Sequence, residues 1–579
     1  MNKLKVLLLT FLTMVITPVC EAQSITVPLR YDRYYTYEEI VQTIKALNAA
    51  YPELTKPVLV GYSDEKREIW ALEINNPKTG KALDKPGVYV DGNIHGNEIQ
   101  AAEVTLYFGE YLLKNHNKLD EITELVDRNA YYLIPVVNVD GRYHFMKDGN
   151  TMHSSRSLRI PRDDDRDGLI DEDFPDDLDG DGNICEMRIK DPHGKYKSDP
   201  IDPRIMVPVK EDDPGEWTLL GSEGLDNDND GQVNEDAEGF VDPNRNWGFD
   251  WNPPYVQSGA GEYPFSGTGI RAIANYMMER PNIIVVFTFH NSGGMYLRGP
   301  TNKAQGPLNR QDIAVYDVMG QNAEKIVPGY DYLVTWKDLY AIYGDSGEFT
   351  YNVMGAYTLV GELFQSDAET YSGKSGDKGE NISERTQVER ERERLKFNDH
   401  VAHGTLFKEW TPYKHPVYGD IEIGGWVKYS SRMPHPFMMP DLVHRNASAV
   451  IFSAGQTPHI EMEVFGSEKV GKNLYKIDVR LVNKKAIPSL SYHAVQKNIL
   501  LKDMLTLNGE GVKVIAGGKI VNRFLDQVTY KEFKPEIQFL QVPGYGKIEY
   551  RFLVSGKGNV DIQYESVKAN NISQTVQLK

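Results

Sequence analysis

Two rhythms of apolar and polar residues divide this chain. From about Tyr34 onward helical and strand-like spacings alternate. "TYEEIVQTIKALNAAYP" and "IQAAEVTLYFGEYLLK" carry apolar residues at helical intervals. "GVYVDGN", "AYYLIPVVNVDG", "NIIVVFTFH" and "AYTLVGELF" are short continuous apolar runs, the pattern of strands covered on both faces. Together they predict an α/β domain built on a mixed, mainly parallel sheet flanked by helices. Beyond "TPYKHPVYGD" the period shortens to two. Tyr475, Ile477, Val479 and Leu481 interleave with polar residues, as do Ile548, Tyr550 and Phe552, and then Val560, Ile562 and Tyr564. This predicts a β-sandwich over residues 411–579, after a first domain over 23–410. Inside that domain, residues 147–240 break the rhythm with Asp, Gly and Pro and read as a large insertion. The charged stretch "ENISERTQVERERERLKFNDH" reads as a solvated helix, with a loop at "SGKSGDKGE" before it.

Composition changes this picture at three points. The chain opens with Lys3 and Lys5, a short apolar stretch and the small-x-small pattern Cys20-Glu21-Ala22, which predicts a secretory signal over residues 1–22 and a secreted or periplasmic product. No other segment is long and apolar enough for a membrane helix. With Cys20 removed, Cys185 stands alone, so no intrachain disulfide is available. The net charge of −19 is local: residues 163–240 hold 26 acids against 7 bases, and the remainder balances. A neutral remainder offers no basic footprint for nucleic acid.

Candidate chemistry sits where the apolar runs end, because open α/β sheets bind ligands outside the carboxyl ends of their strands. "GVYVDGN" runs to His95 and Glu98, "YYLIPVVNVDG" to Asp140, "NIIVVFTFH" to His290 and "AYTLVGELF" to Glu362. Alone, the His-x-x-Glu pair reads equally as a polar turn before a helix. Two imidazoles with a carboxylate are also a zinc set, and a further carboxylate beside a metal is the base that hydrolysis needs.

Six stretches, "DGNIHGNEIQAAE", "VVNVDG", "DPNRNW", "TFHNSGG", "AIYGDSGEF" and "LVGELF", occur in the order seen in the zinc carboxypeptidases, the funnelin-type metallopeptidases. The chain resembles that family over about residues 30 to 405. The resemblance implies that His95, Glu98 and His290 hold zinc, that Glu362 activates a water, and that Asn244 and Arg245 clamp the C-terminal carboxylate of a peptide or protein. It also implies a mobile tyrosine at Tyr343 and a carboxylate, Asp140, orienting a zinc histidine. Arg156 takes the place of the arginine that steadies the oxyanion, with Arg159 as the second choice and Arg162 as the third. After His290 the chain has Asn291 and Ser292 where digestive members have Ser and Tyr, so the acyl-side wall of the cleft differs.

In the insertion one spacing recurs three times: Asp163, Asp165 and Asp167; Asp177, Asp179 and Asp181; Asp226, Asp228 and Asp230, each closed by glycine. Alternate carboxylates before a tight turn are what calcium loops use, although the bidentate twelfth residue is missing. Calcium here would be structural. Two rival functions keep parts of this reading: a zinc amidase acting on cell-wall peptides or acylated amino acids, and a non-catalytic calcium-dependent binding protein.

Overall fold

The computed structural model describes residues 29–163, 168–210, 213–229, 231–236, 239–365 and 386–578. The expected signal, Asp165, Asp167, Asp230 and the loop at "SGKSGDKGE" lie outside the described residues. The chain begins with α1 (Tyr37–Ala50), β1 (Thr55–Tyr62), β2 (Glu68–Ile74), β3 (Gly87–Gly92), α2 (Gln100–Asn115), α3 (Asp120–Arg128), β4 (Ala130–Ile134) and α4 (Val139–Lys147). Thr36 and Glu39 form a reciprocal capping box that starts α1. The insertion follows with β5 (Glu186–Lys190), β6 (Tyr196–Ser198), β7 (Met206–Pro208) and β8 (Trp217–Ser222). Next come α5 (Thr268–Met278), β9 (Ile283–Asn291), β10 (Met295–Arg298), α6 (Arg310–Ile326), β11 (Asp331–Val334), α7 (Ser346–Met354), β12 (Tyr357–Leu363) and α8 (Gln387–His400).

Eight strands form the main sheet in the order β1-β2-β4-β3-β9-β12-β10-β11. The centre is parallel, with β3 pairing β4 and β9, and β9 pairing β12. Every residue of β3, β4 and β9 is buried, which explains their continuous apolar runs. Because β3, β9 and β12 run the same way, their carboxyl ends open on one side. Glu362 and His290 are direct Cα partners there.

The structure corrects the expected boundary at residue 411. β13 (Phe407–His415) and β14 (Gly419–Trp426) form a hairpin that joins the insertion in a second sheet, β13-β14-β5-β8-β6-β7. Cys185 and Met187 of the insertion pack there on Ile421 and Ile423. α9 (Met439–Gly455) then returns to the first core, where Met439, Val443, Ala447 and Val450 are buried. A second, separate core begins at Ile460. It fills the space between a five-stranded sheet, β15 (Ile460–Gly471), β16 (Leu474–Asn483), β18 (Val512–Asn522), β19 (Gln527–Tyr530) and β21 (Gly546–Gly556), and a four-stranded one, β17 (Asp503–Asn508), β20 (Ile537–Leu540), β22 (Gly558–Glu565) and β23 (Ile572–Leu578). Helix α10 (Tyr492–Lys497) joins the two sheets and touches α6 and α7. The period-two residues read from sequence, Ile477, Val479, Leu481, Phe552, Val560 and Ile562, all point into this sandwich.

Helix α8 is less solvated than its charges suggest. Leu395 and Phe397 are buried, and Glu391 accepts a hydrogen bond from the Trp426 indole at 2.7 Å. Among the described residues no helix is long and apolar enough to cross a membrane.

Candidate metal centre

The loop between β3 and α2 carries His95 and Glu98, and its shape follows from three local features. Asn93 adopts a left-handed backbone (φ 57°), and its side-chain amide donates to the carbonyls of His95 (2.6 Å) and Gly96 (2.9 Å). Gly96 lies against the segment that bears Arg156: a β-carbon there would stand 2.2 Å from the Ser155 carbonyl oxygen. Arg142, fully buried, donates to Asn93 Oδ1 (3.0 Å), the Ile99 carbonyl (2.7 Å) and Glu103 (2.7 Å), tying the loop to α2 and α4. A buried guanidinium is tolerable only when paired and hydrogen-bonded in this way.

This loop and the end of β9 bring His95, Glu98 and His290 together, all buried, with ligating atoms within 4.8 Å of one another. His95 Nδ1 lies 2.9 Å from Glu98 Oε1, His290 Nδ1 3.2 Å from Glu98 Oε2, and the two Nδ1 atoms 3.2 Å apart. Burial alone would raise the Glu98 pKa, but the adjacent His95 and His290 hold it well below the usual carboxylate range. His95 Nε2 faces Asp242 Oδ1 at 3.1 Å and the Arg156 guanidinium at 2.9 Å; in the tautomer that donates to Asp242 the Nδ1 lone pair is left for a cation. The donor set fits zinc: two imidazole nitrogens and a carboxylate oxygen converging with no other protein ligand among the described residues.

Asp140 does not have the expected role. Its carboxylate accepts from Ser63 Oγ (2.7 Å), Glu65 N (3.0 Å) and Arg67 (2.7 Å), closing the β1–β2 turn, and touches neither histidine. As the second residue of α4 it faces that turn, whereas Asp242 stands two residues before Asn244 and faces His95. The neighbouring Asn138 does serve the site. It caps α4 through Gly141 N (2.9 Å) and its amide holds the Ser157 carbonyl (2.9 Å), fixing the segment of Arg156.

A cleft of about 340 Å³ opens over the triad. Arg156, Asn244, Arg245 and Glu362 all line it. Arg156 donates to Glu98 Oε1 at 3.0 Å. Arg159 instead reaches Glu65 (3.0 Å), and Arg162 stacks 3.6 Å over Phe240, so neither alternative enters the cleft lining. Asn244 Oδ1 accepts from Ser346 N (3.0 Å), and the Arg245 side chain is steadied by the Asn244 carbonyl (2.8 Å). Burial pushes Glu362 up to about 7; the field of His290 opposes this and that of Glu98 adds to it. Tyr343 is half-buried and outside the lining, while Tyr340 stands on it. Leu297, Thr301, Ile342 and Val360 form a largely apolar wall, broken by the buried carboxylate of Asp345.

Besides the apolar wall, the sequence does not single out Asp242, Tyr340, Asp345 or Arg432. Asp242 sits inside the quoted "DPNRNW", so its position was available. Arg432 belongs to no motif.

The acidic runs behave differently from a calcium loop. Asp177, Asp179 and Asp181 do gather, but Lys408 pairs with Asp179 and Asp181 and supplies the neutralising charge. Asp173, Asp228 and Glu235 form another group, which mixes one member of the expected third run with residues outside it. Asp163 and Asp226 join neither group. Exposed carboxylates gather without an ion often enough that calcium gains no support here.

A profile described as zinc carboxypeptidase, peptidase M14, matches residues 40–192 and 221–372, more than half of the chain. The chain belongs to the zinc carboxypeptidase family. Residues 459–577, the sandwich, match a domain of unknown function. Human carboxypeptidase D is 34% identical over 110 residues, 19% of this chain and 8% of that protein, so the match spans a small part of the relative's length. Carboxypeptidase B of Astacus astacus is 24% identical over 339 residues, 56% of this chain and 85% of the relative. Among solved structures, bovine thrombin-activatable fibrinolysis inhibitor in complex with tick carboxypeptidase inhibitor aligns over 73% of this chain and 97% of its own, with 15% identity and a TM-score of 0.42. Carboxypeptidase A of Helicoverpa armigera aligns over 74% of each chain, with 16% identity and a TM-score of 0.42.

Proposed function

We propose that this protein is a secreted zinc-dependent metallocarboxypeptidase that hydrolyses the last peptide bond of peptides or proteins. The observation that carries the reading is a single cleft lined by the His95–Glu98–His290 triad, a buried carboxylate at Glu362 and a paired amide and guanidinium at Asn244 and Arg245. His95 Nδ1, His290 Nδ1 and Glu98 would hold zinc, which supplies Lewis-acid chemistry that polarises a carbonyl and eases the ionisation of water. Asn244 and Arg245 bind the free carboxylate, so the enzyme measures from the chain end. Glu362 takes a proton from the attacking water and delivers it to the leaving amine. Arg156 donates to the carbonyl oxygen as negative charge develops there. Tyr343 would have to swing inward to cover the substrate; Tyr340 already stands at the rim.

An amidase on cell-wall peptides or a deacylase would keep the metal and Glu362 but has no need of the Asn244–Arg245 pair. A purely binding protein would have no use for a buried Glu362. A digest of a mixed peptide library followed by mass spectrometry, with and without a zinc chelator, tests the proposal. Stepwise loss of C-terminal residues is expected, abolished by the chelator and by C-terminal amidation. Cleavage that ignores amidation would overturn it.

A further inference from the structure

The cleft contains a third guanidinium, Arg432, which the family match does not include. It lies between β14 and α9, beyond residue 372, where that match ends. Its backbone is firmly seated. Met433 packs on Ile99 and Phe145, and the Arg432 carbonyl accepts from Asn291 Nδ2 (2.6 Å) and Gln100 Nε2 (3.1 Å). Tyr34 donates its hydroxyl proton to the Pro434 carbonyl (2.6 Å). From this support the side chain, 24% exposed, reaches Glu98 Oε1 at 3.0 Å and the Asn291 carbonyl.

Glu98 Oε1 is crowded. Arg156 and Arg432 each donate to it at 3.0 Å, and His95 Nδ1, whose lone pair a cation would take, stands 2.9 Å away. A divalent cation at the triad claims this same carboxylate. Only Arg432 Nη2 is engaged there, with Glu98 and the Asn291 carbonyl; among the described residues its Nε and Nη1 have no protein partner and leave donors to spare. The other carboxylates on the cleft lining are Glu362, which the proposed reaction uses as its base, and Asp345, which feels Arg245. The spare donors of Arg432 are therefore open to an anion from outside the chain.

Position identifies which part of a substrate supplies it. Arg245 is held by the Asn244 carbonyl, at the end that takes the terminal carboxylate, whereas Arg432 is held by the carbonyl of Asn291, which follows His290 on the acyl-side wall. A peptide that enters with its carboxylate at Asn244 and Arg245 passes Arg432 with the residue on the acyl side of the scissile bond. We propose that Arg432 forms an anion subsite on that side, so that the enzyme prefers peptides whose penultimate residue is Asp or Glu. This rests on the carboxypeptidase reading above.

The test uses the zinc-loaded full chain and N-acylated dipeptides with Glu, Gln or Lys before one common C-terminal residue. The wild type is expected to favour Glu over Gln by roughly 10- to 100-fold in kcat/KM, the range of a charge-assisted hydrogen bond. In Arg432→Gln the ratio falls to near one while zinc content and thermal midpoint hold. Arg432→Lys keeps the charge without the fork, retains part of the ratio, and serves as the second variant should Arg432→Gln not fold. Calorimetry on zinc-loaded Glu362→Ala with the Glu peptide against the Gln peptide gives a readout independent of turnover, with the same preference and, once Arg432→Gln is added, the same loss. A wild-type ratio near one, or a ratio that survives in Arg432→Gln, overturns the subsite and leaves the carboxypeptidase reading standing. Hydrolysis of none of the three peptides overturns the carboxypeptidase reading, and the calorimetric comparison then decides the subsite by itself.

Discussion

His95 Nε2 and Asp242 Oδ1 stand 3.1 Å apart, 147 residues apart in sequence, while Nδ1 of the same ring faces Glu98 and His290. Asp242 also accepts from Asn244 N at 2.7 Å, so one carboxylate reaches both a candidate metal ligand and the first residue of the proposed carboxylate clamp. Asp242→Ala is expected to weaken zinc binding about 10- to 100-fold, the usual effect of removing such a partner. Competition with a fluorescent chelator measures it. Asp140→Ala, which loses only the β1–β2 turn, should bind zinc as the wild type does; equal losses in both variants would refute the assignment.

Glu362 is not placed to hold the metal, and its removal separates chemistry from binding. Glu362→Ala is expected to lose hydrolysis by at least about 10²- to 10⁴-fold while keeping stoichiometric zinc. His95→Ala should lose both. Metal analysis beside steady-state kinetics decides the matter, and a Glu362→Ala protein with full activity would sink the mechanism.

The two candidate arginines are distinguished by what they touch. Arg156 faces Glu98 across the cleft, whereas Arg159 is spent on Glu65. Arg156→Ala should lower kcat by roughly 10²- to 10³-fold, as for other oxyanion donors. Arg159→Ala, a surface change of about 0.5 kcal/mol or less, should stay within about twofold. Reversed magnitudes would move the role to Arg159.

Much of the catalytic half could be read directly from the sequence, for a physical reason. β3, β9 and β12 are enclosed by strands and helices, so their apolar runs are continuous and their ends easily located. His95, His290 and Glu362 follow from those ends. The insertion hid its four strands because they are short and because β5, which ties them to the rest of the sheet, finds its partner in β14 more than 200 residues later. β13 and β14 show a half-covered alternation much like that of the sandwich, which is why the boundary was set too early. Which carboxylate reaches His95, Asp140 or Asp242, depends on the direction each segment takes after its turn, and no local spacing records that.

Arg142 and Glu103, both wholly buried, hold the loop of His95 and Glu98 against α2. Arg142→Ala leaves an uncompensated charge and should cost about 3–5 kcal/mol, read from urea denaturation. The double variant Arg142→Met with Glu103→Leu should recover much of the loss. A cost below about 1 kcal/mol for Arg142→Ala would mean that the loop stands without this pair.

Lys568 of the sandwich segment is fully buried, with Nζ on the carbonyl of Ile283 at the start of β9, and burial pushes its pKa down to about 7. The unfolded chain keeps that proton up to about pH 10.4, so between these values unfolding takes up a proton and stability rises with pH. The slope due to this group is about 1.4 kcal/mol per pH unit at most. Below pH 7 the penalty is constant. Urea midpoints for wild type and Lys568→Met between pH 7 and 9.5 should diverge at the neutral end, with the variant the more stable there, and converge at the alkaline end. Parallel curves would show that the lysine is charged throughout.

The pairing of β5 with β14 also affects how the molecule is made. A strand near residue 187 must wait for one near residue 423, and the loop between them has to close before the second sheet gains anything. Arg432 follows directly on that hairpin. During synthesis, the candidate metal ligands and the proposed carboxylate clamp therefore emerge well before the third cleft arginine. A nascent chain holding only the first four hundred residues would have the means to bind zinc but neither the complete wall of its cleft nor a partner for the edge of β5, a stage at which it is exposed to misassociation.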